Sequence, residues 1–280
     1  PAAALLLGEH YYDCVIGFRP GICADLAGYS VKAKRRITWW HHGEFYVDRV
    51  AYGAMCSRMD AVAVVSRACR EMLQDHLPEL ADKLICVPNM LDASAILQKV
   101  EHTPYAKNNL CIVSVGRFAP EKHFENIVPA AKALQAMNLA FMWHIVGDGS
   151  ERARVEILIT ENGLKDYVIL EGSKTNPYPY MKYADLFVHP SYIESQGLTV
   201  LEAMALGVPC VVTKSRGPCE FIEDGINGLL TEQSPESLAE KVLSILTDKT
   251  LYQSIKENTV CPEQFAPDRV MKQIEELIDG

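Results

Sequence analysis

The chain has 280 residues, 49% of them hydrophobic, and a formal net charge of −9 at pH 7, which predicts two domains with real apolar cores. Nothing approaches the roughly 18 apolar residues of a membrane span, and the opening "PAAALLLGEHYYD" lacks the basic start of a signal peptide, so the expected location is cytoplasmic. The charge is uneven, with twelve Lys/Arg against twelve Asp/Glu in residues 1–107 and fifteen against twenty-four in residues 108–280, a balance that argues against nucleic acid as partner because neutralising phosphates needs surplus cations.

In chain order, "YDCVIG", "RRITWW", "DAVAVVS" and "KLICVP" read as strands. The basic cluster "KAKRR" contains Lys32, Lys34, Arg35 and Arg36. It reads as solvated loop charge, with peripheral contact to anionic lipid headgroups on the inner face of a membrane as the alternative. "ITWWHHGEF" is a strand running into His41 and His42. Residues 89–107 lack sustained periodicity and contain a proline, as a linker does. The predicted organisation is therefore a small, partial first domain over 1–88, a linker over 89–107 and a second domain over 108–280, whose last helix is free to pack back on the first. Nine cysteines form no CxxC pair, and several lie in strand-like runs, where a reduced thiol acts as a small apolar group. All nine are expected to be core thiols.

From residue 110 short apolar runs alternate with amphipathic ones. "LCIVSVG", "AFMWHIVG", "YVIL", "DLFVHPS" and "PCVVT" read as strands, and "EKHFENIVPAAKALQAM", "SERARVEILITENGL", "LTVLEAMALG", "SPESLAEKVLSILT" and "PDRVMKQIEELI" as helices. Pro129 predicts a bend or late start in the first of these helices. Strands that alternate with helices and read as continuous Val/Ile/Leu runs belong to a doubly wound parallel α/β sheet. Ligands of such sheets bind beyond the carboxyl ends of the strands, so the strand-ending turns are the candidate site. "RFAPEK" offers Arg117 and Lys122 there, two cations suited to a diphosphate or simply to the surface. Asp148 in "GDG" reads as a turn or capping residue. The loop "EGSKTNPYPY" after "YVIL" is either an ordinary loop or one whose Gly172, Ser173 and Lys174 offer backbone groups to a ligand, while Tyr178 and Tyr180 are expected to pack between helices.

The stretch "ESQGLTVLE" carries the strongest signal. Gly197 permits a tight turn, and Leu198 and Thr199 open a helix whose free amides favour an anion. Thr199 and Glu202 have capping-box spacing, which is the ordinary explanation of Glu202. That leaves Glu194 without a role, and a carboxylate ahead of an anion-binding turn points to a hydroxyl-rich group, such as a sugar, beside the phosphates.

In order, "VGRFAPEK", "IVGDG", "NPYPYMKYADLFVHPS" and "ESQGLTVLEAMALGVPCVVT" resemble the donor half of retaining glycosyltransferase family 4, with Glu194 and Glu202 as its E-x7-E pair. The resemblance covers residues 84–280 and implies a GT-B fold of two Rossmann-like domains, the first incomplete here. It implies transfer of a hexose from a nucleoside diphosphate sugar, UDP- or GDP-linked, to a saccharide or lipid-linked acceptor in polysaccharide or glycoconjugate synthesis. Arg117 and Lys122 match the diphosphate ligands, and Gly197, Leu198 and Thr199 match the amides at the distal phosphate. Glu202 matches the residue on the ribose diol, Glu194 the one on the donor sugar, and His42, ahead of Gly43, the histidine near that sugar. Gly116, Ser195 and Gln196 fall within the same matched motifs. No metal or other cofactor is expected, since fixed cations and a helix N-terminus can stabilise the leaving phosphate and no DxD occurs in the chain. The alternatives are a non-catalytic module that binds the nucleotide sugar and an epimerase of the same fold. A dinucleotide oxidoreductase is disfavoured because "GDGSERA" lacks the third glycine of GxGxxG.

Overall fold

The computed structural model describes residues 10–100, 102 and 109–280. The chain divides into two compact units, one of residues 1–90, 194–196 and 263–280, the other of residues 91–193 and 197–262.

The first unit holds a four-stranded sheet in the order β1 (Tyr11–Gly17), β2 (Lys32–Trp40), β3 (Ala61–Val64), β4 (Leu84–Cys86), parallel throughout. A four-residue helix α1 (Ile22–Asp25), α2 (Arg49–Ser57) and α3 (Arg67–His76) connect these strands. The last two start where Asp48 and Ser66 accept the amides of Ala51 and Cys69, the ordinary N-cap device. The core gathers Trp40, Met55, Leu73 and Val62, and the terminal helix α11 (Pro267–Asp279) adds Val270 and Leu277 to it.

The basic cluster corrects the loop expectation, because residues 32–36 lie in β2. Arg35 donates through Nε to the Leu277 carbonyl at 2.7 Å, and Arg36 donates from its guanidinium to the Val31 carbonyl at 3.4 Å. Only Lys32 and Lys34 of the cluster stay exposed. The cysteines also divide. Cys56, Cys69, Cys111 and Cys210 are buried, Cys14, Cys86 and Cys261 are half-buried, and Cys23 and Cys219 are exposed, so the core-thiol expectation fails for the last two.

The second unit is a six-stranded parallel sheet in the order β10-β9-β8-β5-β6-β7. Its strands are β5 (Leu110–Val115), β6 (Phe141–Val146), β7 (Val168–Gly172), β8 (Leu186–His189), β9 (Cys210–Thr213) and β10 (Leu229–Thr231). The helices are α4 (Ala93–Gln98), α5 (Ile127–Ala136), α6 (Arg152–Glu161), α7 (Tyr178–Lys182), α8 (Leu198–Ala205), α9 (Pro235–Thr247) and α10 (Lys249–Asn258). Trp143, Ile112, Leu134 and Val188 are buried together at the centre. Trp143 donates its indole N–H to Ser114, and Ser114 donates to the Val188 carbonyl at 2.7 Å, so the buried Ser114 hydroxyl is satisfied.

Besides α1, α2, α3 and α7, which the sequence reading also lacks, three further elements escape it. β10 has three residues, too few to show a period. α10 is set by an Asp248 cap on Thr250 and Leu251, and α4 falls inside the expected linker, where Asp92 caps Ala95. Part of that linker, residues 101 and 103–107, lies outside the described residues. α5 starts late as expected. His123 adopts a left-handed φ of 46° between two short 3-10 turns, which places Pro129 third in the helix, where no intrahelical N–H is missed.

Candidate functional site

Because every strand of the second unit is parallel, their carboxyl ends share one edge of the sheet, and the turns there are short and glycine-dependent. Gly147 and Gly149 follow β6 at φ 147° and 155°. A Cβ on Gly147 would lie 1.8 Å from the Gly116 carbonyl oxygen, and one on Gly149 would lie 2.3 Å from that of Phe118. The glycines therefore let the turns after β5 and β6 touch along their backbones. Asp148 accepts the Gly149 amide at 2.8 Å, a turn role as expected. A cleft of about 310 Å³ opens beside these turns and draws in Gly116, Arg117, Ser173 and Lys174 of the expected site; Gly172 lies behind it, accepting the Gly147 amide at 2.9 Å.

Arg117 is 73% exposed and pairs with Glu121 at 3.0 Å. Glu121 stays below the usual carboxylate range although burial pushes it up, because a backbone hydrogen bond and the Arg117 and Lys122 charges outweigh that burial. Lys122 ends the 3-10 turn Pro120–Lys122, its amide bonded to the Ala119 carbonyl. That turn is tied to the one after β8, since Tyr192 donates its amide to the Glu121 carbonyl and stacks on His123 at 3.8 Å.

The side chain of Lys174 turns to the sheet. The hydroxyl of Tyr180 and the carboxylate of Glu171, 3.5 Å from Nζ, raise its ammonium above the ordinary value. Glu171 also takes His144 Nδ1 at 2.8 Å and the Tyr180 hydroxyl at 3.1 Å. Tyr180 thus holds a polar network instead of only packing.

The start of α8 overturns the capping box. Its N-cap is Gly197 at φ 85°, with no side-chain cap, and Thr199 lies inside the helix. A Cβ at position 197 would meet Pro218 Cγ at 2.7 Å, so glycine is needed there for both conformation and space. The amides of Leu198 and Thr199 have no partner among the described residues. Glu202 instead accepts from the Tyr178 hydroxyl at 3.2 Å. Burial holds its carboxyl above the usual range, against the pull of that bond and of the Lys99 charge. The hydroxyls of Ser191 and Ser215, just beyond β8 and β9, are buried without a hydrogen-bond partner among the described residues. Sequence reading missed both, since a lone serine after a strand carries no spacing signal.

The remaining expected residues belong to the first unit. Glu194 and Ser195 are half-buried, and the Ser195 carbonyl accepts from Cys69 Sγ at 3.8 Å. Gln196 is buried and its amide is used by Asn89, which donates N–H to Oε1 at 2.7 Å and accepts Nε2 at 3.0 Å. Its side chain is therefore a clamp, and only its backbone is left for a ligand. His42 is exposed, edge-on to Tyr46 at 4.5 Å, and its carbonyl accepts the Trp40 indole N–H at 2.6 Å. His41 turns inward between Phe18 and Trp39, and burial lowers its pKa from the ordinary value.

The family model of glycosyl transferases group 1 matches residues 96–260, more than half of the chain. A lipopolysaccharide core biosynthesis glycosyltransferase, LpsE of Rhizobium meliloti, is 33% identical over 147 residues, covering 52% of this chain and 42% of its own length. This chain thus spans less than half of that relative. Among solved structures, the pneumococcal O-GlcNAc transferase GtfA in complex with UDP and GlcNAc superimposes with a TM-score of 0.79 at 18% identity, covering 99% of this chain and 59% of its own. Anabaena HepE in complex with UDP gives a TM-score of 0.75 at 21% identity, covering 87% and 72%. The α/β fold with two parallel sheets is the GT-B type of these glycosyltransferases.

Proposed function

The chain belongs to the glycosyl transferases group 1 family, and from that membership and the site together we propose that it binds a nucleoside diphosphate sugar and transfers its hexose with retention to a saccharide or lipid-linked acceptor, as a family 4 enzyme. The observation that carries the reading is the glycine-capped start of α8, where the amides of Leu198 and Thr199 are open and Glu202 is free of any capping duty. The helix N-terminus takes the distal phosphate, Arg117 and Lys122 take the diphosphate, and the Ser191 and Ser215 hydroxyls supply donors for the same anion. Glu202 accepts the ribose hydroxyls, and the cleft at Ser173 and Lys174 takes the base.

As the bond from sugar to nucleotide breaks, charge grows on the leaving phosphate, and these fixed dipoles and cations stabilise it where it forms. The phosphate must take Arg117 from Glu121. An exposed pair of this kind is worth only about 0–1 kcal/mol, so the exchange costs little. Glu194 and His42 are assigned to the donor sugar in this reading by their match to the family's motifs alone. The domain limits 1–88, 89–107 and 108–280, a cytoplasmic place and an independence from metal are parts of the same proposal. Contact with anionic lipid would fall to Lys32 and Lys34, the exposed members of the basic cluster.

Thermal melts with UDP, GDP and their sugars test the donor reading. Ligand at about 100 times its Kd stabilises by roughly 2.7 kcal/mol, so one nucleotide series is expected to raise Tm clearly, in EDTA as well as in Mg²⁺. A shift in no series defeats the reading, and a shift only with metal defeats its metal independence.

Glu194→Gln separates the sugar from the nucleotide. In calorimetric titrations the free nucleoside diphosphate is expected to keep its affinity within about threefold, since the lost charge only reduces repulsion of the phosphates. The intact nucleotide sugar is expected to weaken, because a charged acceptor is worth about 1.5–3 kcal/mol and an amide less. Equal losses for both ligands would place Glu194 on the nucleotide.

A further inference from the structure

Glu202 is held by a residue from another element. Tyr178 opens α7, and its hydroxyl donates to Oε1 of Glu202 at 3.2 Å. Oε2 has no partner among the described residues. The position of Tyr178 is itself fixed from the loop before α7. Its amide donates to Asn176 Oδ1 at 3.3 Å, and Asn176 Nδ2 donates to the Lys99 carbonyl at 2.7 Å, just past the end of α4. Lys99 Nζ lies 5.8 Å from the centre of the Tyr178 ring. Three separate pieces of chain therefore meet to aim one carboxylate, and a phenol that only filled space would need none of these bonds.

We propose that Tyr178 is the positioning residue of the ribose site: its hydroxyl occupies Oε1 of Glu202 and leaves Oε2 as the acceptor for the vicinal diol of a nucleoside diphosphate, so that Tyr178 sets the preference for ribose over 2′-deoxyribose. This rests on the donor reading above. A half-buried carboxylate with three rotatable bonds and no partner would sample several orientations, and a diol that needs a charged acceptor in one place would lose part of that bond. The Tyr178 hydrogen bond also favours the ionised form of Glu202, the form that accepts from both hydroxyls. The titratable groups recorded against this carboxylate are Tyr178 from α7 and Lys99 beyond α4.

The test is a set of calorimetric titrations with UDP and 2′-deoxy-UDP, and with GDP and 2′-deoxy-GDP, on the full chain as wild type, Tyr178→Phe and Glu202→Gln, at about pH 6 and about pH 8. Wild type is expected to prefer the ribonucleotide by about tenfold, the worth of one charge-assisted hydrogen bond. Tyr178→Phe is expected to cut that preference to about threefold or less while its 2′-deoxy affinity stays within about twofold of wild type. The loss should be larger at the lower pH, because the carboxyl without its phenol protonates more readily. A general packing defect would weaken both nucleotides alike at both pH values, and that result overturns the proposal. So does a wild-type preference in Tyr178→Phe beside a lost preference in Glu202→Gln, which would leave the donor reading standing alone. If wild type binds no nucleotide, the donor reading falls and the role of Tyr178 with it.

Discussion

Gly147→Ala is expected to abolish the cooperative fold of the second unit or to cost it more than about 4 kcal/mol, at the extreme of single substitutions. The new Cβ would sit 1.8 Å from the Gly116 oxygen and 2.9 Å from its carbonyl carbon, and neither atom can swing aside as a side chain can. Gly116 donates to the Val146 carbonyl at 3.0 Å, and Gly147 donates to the Gly172 carbonyl at 2.9 Å. Moving either backbone therefore breaks pairing between β5, β6 and β7 at the edge where the cleft opens. The matched control is Gly163→Ala, whose φ of 66° is also left-handed but whose Cβ meets nothing within 4 Å. It is expected to lose only about 1 kcal/mol, the ordinary strain of a side chain in that conformation. Urea melts followed by far-UV circular dichroism measure both. Equal losses in the two variants would assign the effect to backbone conformation alone and remove the close approach from the account.

That contrast shows where sequence is informative. The alternation of "LCIVSVG" with amphipathic stretches announces a parallel sheet because burial on both faces demands continuous apolar strands, and β5, β6, β8 and β9 carry that signature, whereas β2 opens on the charged "KAKRR". The glycines of "IVGDG" were visible as a turn, yet nothing in the letters says that residue 147 touches residue 116, because that contact depends on how two loops meet. The same limit explains Glu202. Local spacing pairs it with Thr199 in a capping box, whereas the structure puts the cap at Gly197 and the carboxylate on Tyr178, twenty-four positions away in sequence. Gln196 misleads in the opposite direction. It lies in the middle of the most informative motif, but its side chain is consumed by Asn89. Motifs record which residues are near a site, while hydrogen-bond partners decide which of them still have an atom to offer.

Glu202→Gln is expected to weaken the bound ribonucleoside diphosphate by about 10- to 100-fold, the loss of a charged acceptor worth about 1.5–3 kcal/mol, with no loss of stability at neutral pH. The two effects part because the carboxylate is unfavourable to the fold. Burial raises its pKa above the ordinary value of 4.5, and the Tyr178 bond and the Lys99 charge offset that only in part. For a carboxyl raised in the folded state the sign is fixed by linkage. Below the unfolded value both states are protonated and no penalty exists. As pH climbs through the unfolded and then the folded pKa, the penalty grows to its full size and stays. The Tm of Glu202→Gln should therefore match wild type at about pH 4 and equal or exceed it at about pH 8, whereas loss of a helix cap would cost about 0.5–2 kcal/mol at either pH. Thermal melts at both pH values, paired with titrations of UDP and GDP, make the comparison. Wild-type affinity for both nucleotides would remove Glu202 from the ribose, and a Tm several degrees lower at the higher pH would show that the carboxylate supports the fold after all. A stable protein that has lost its nucleotide is the expected result, since a group kept against its own burial cost is held for a ligand.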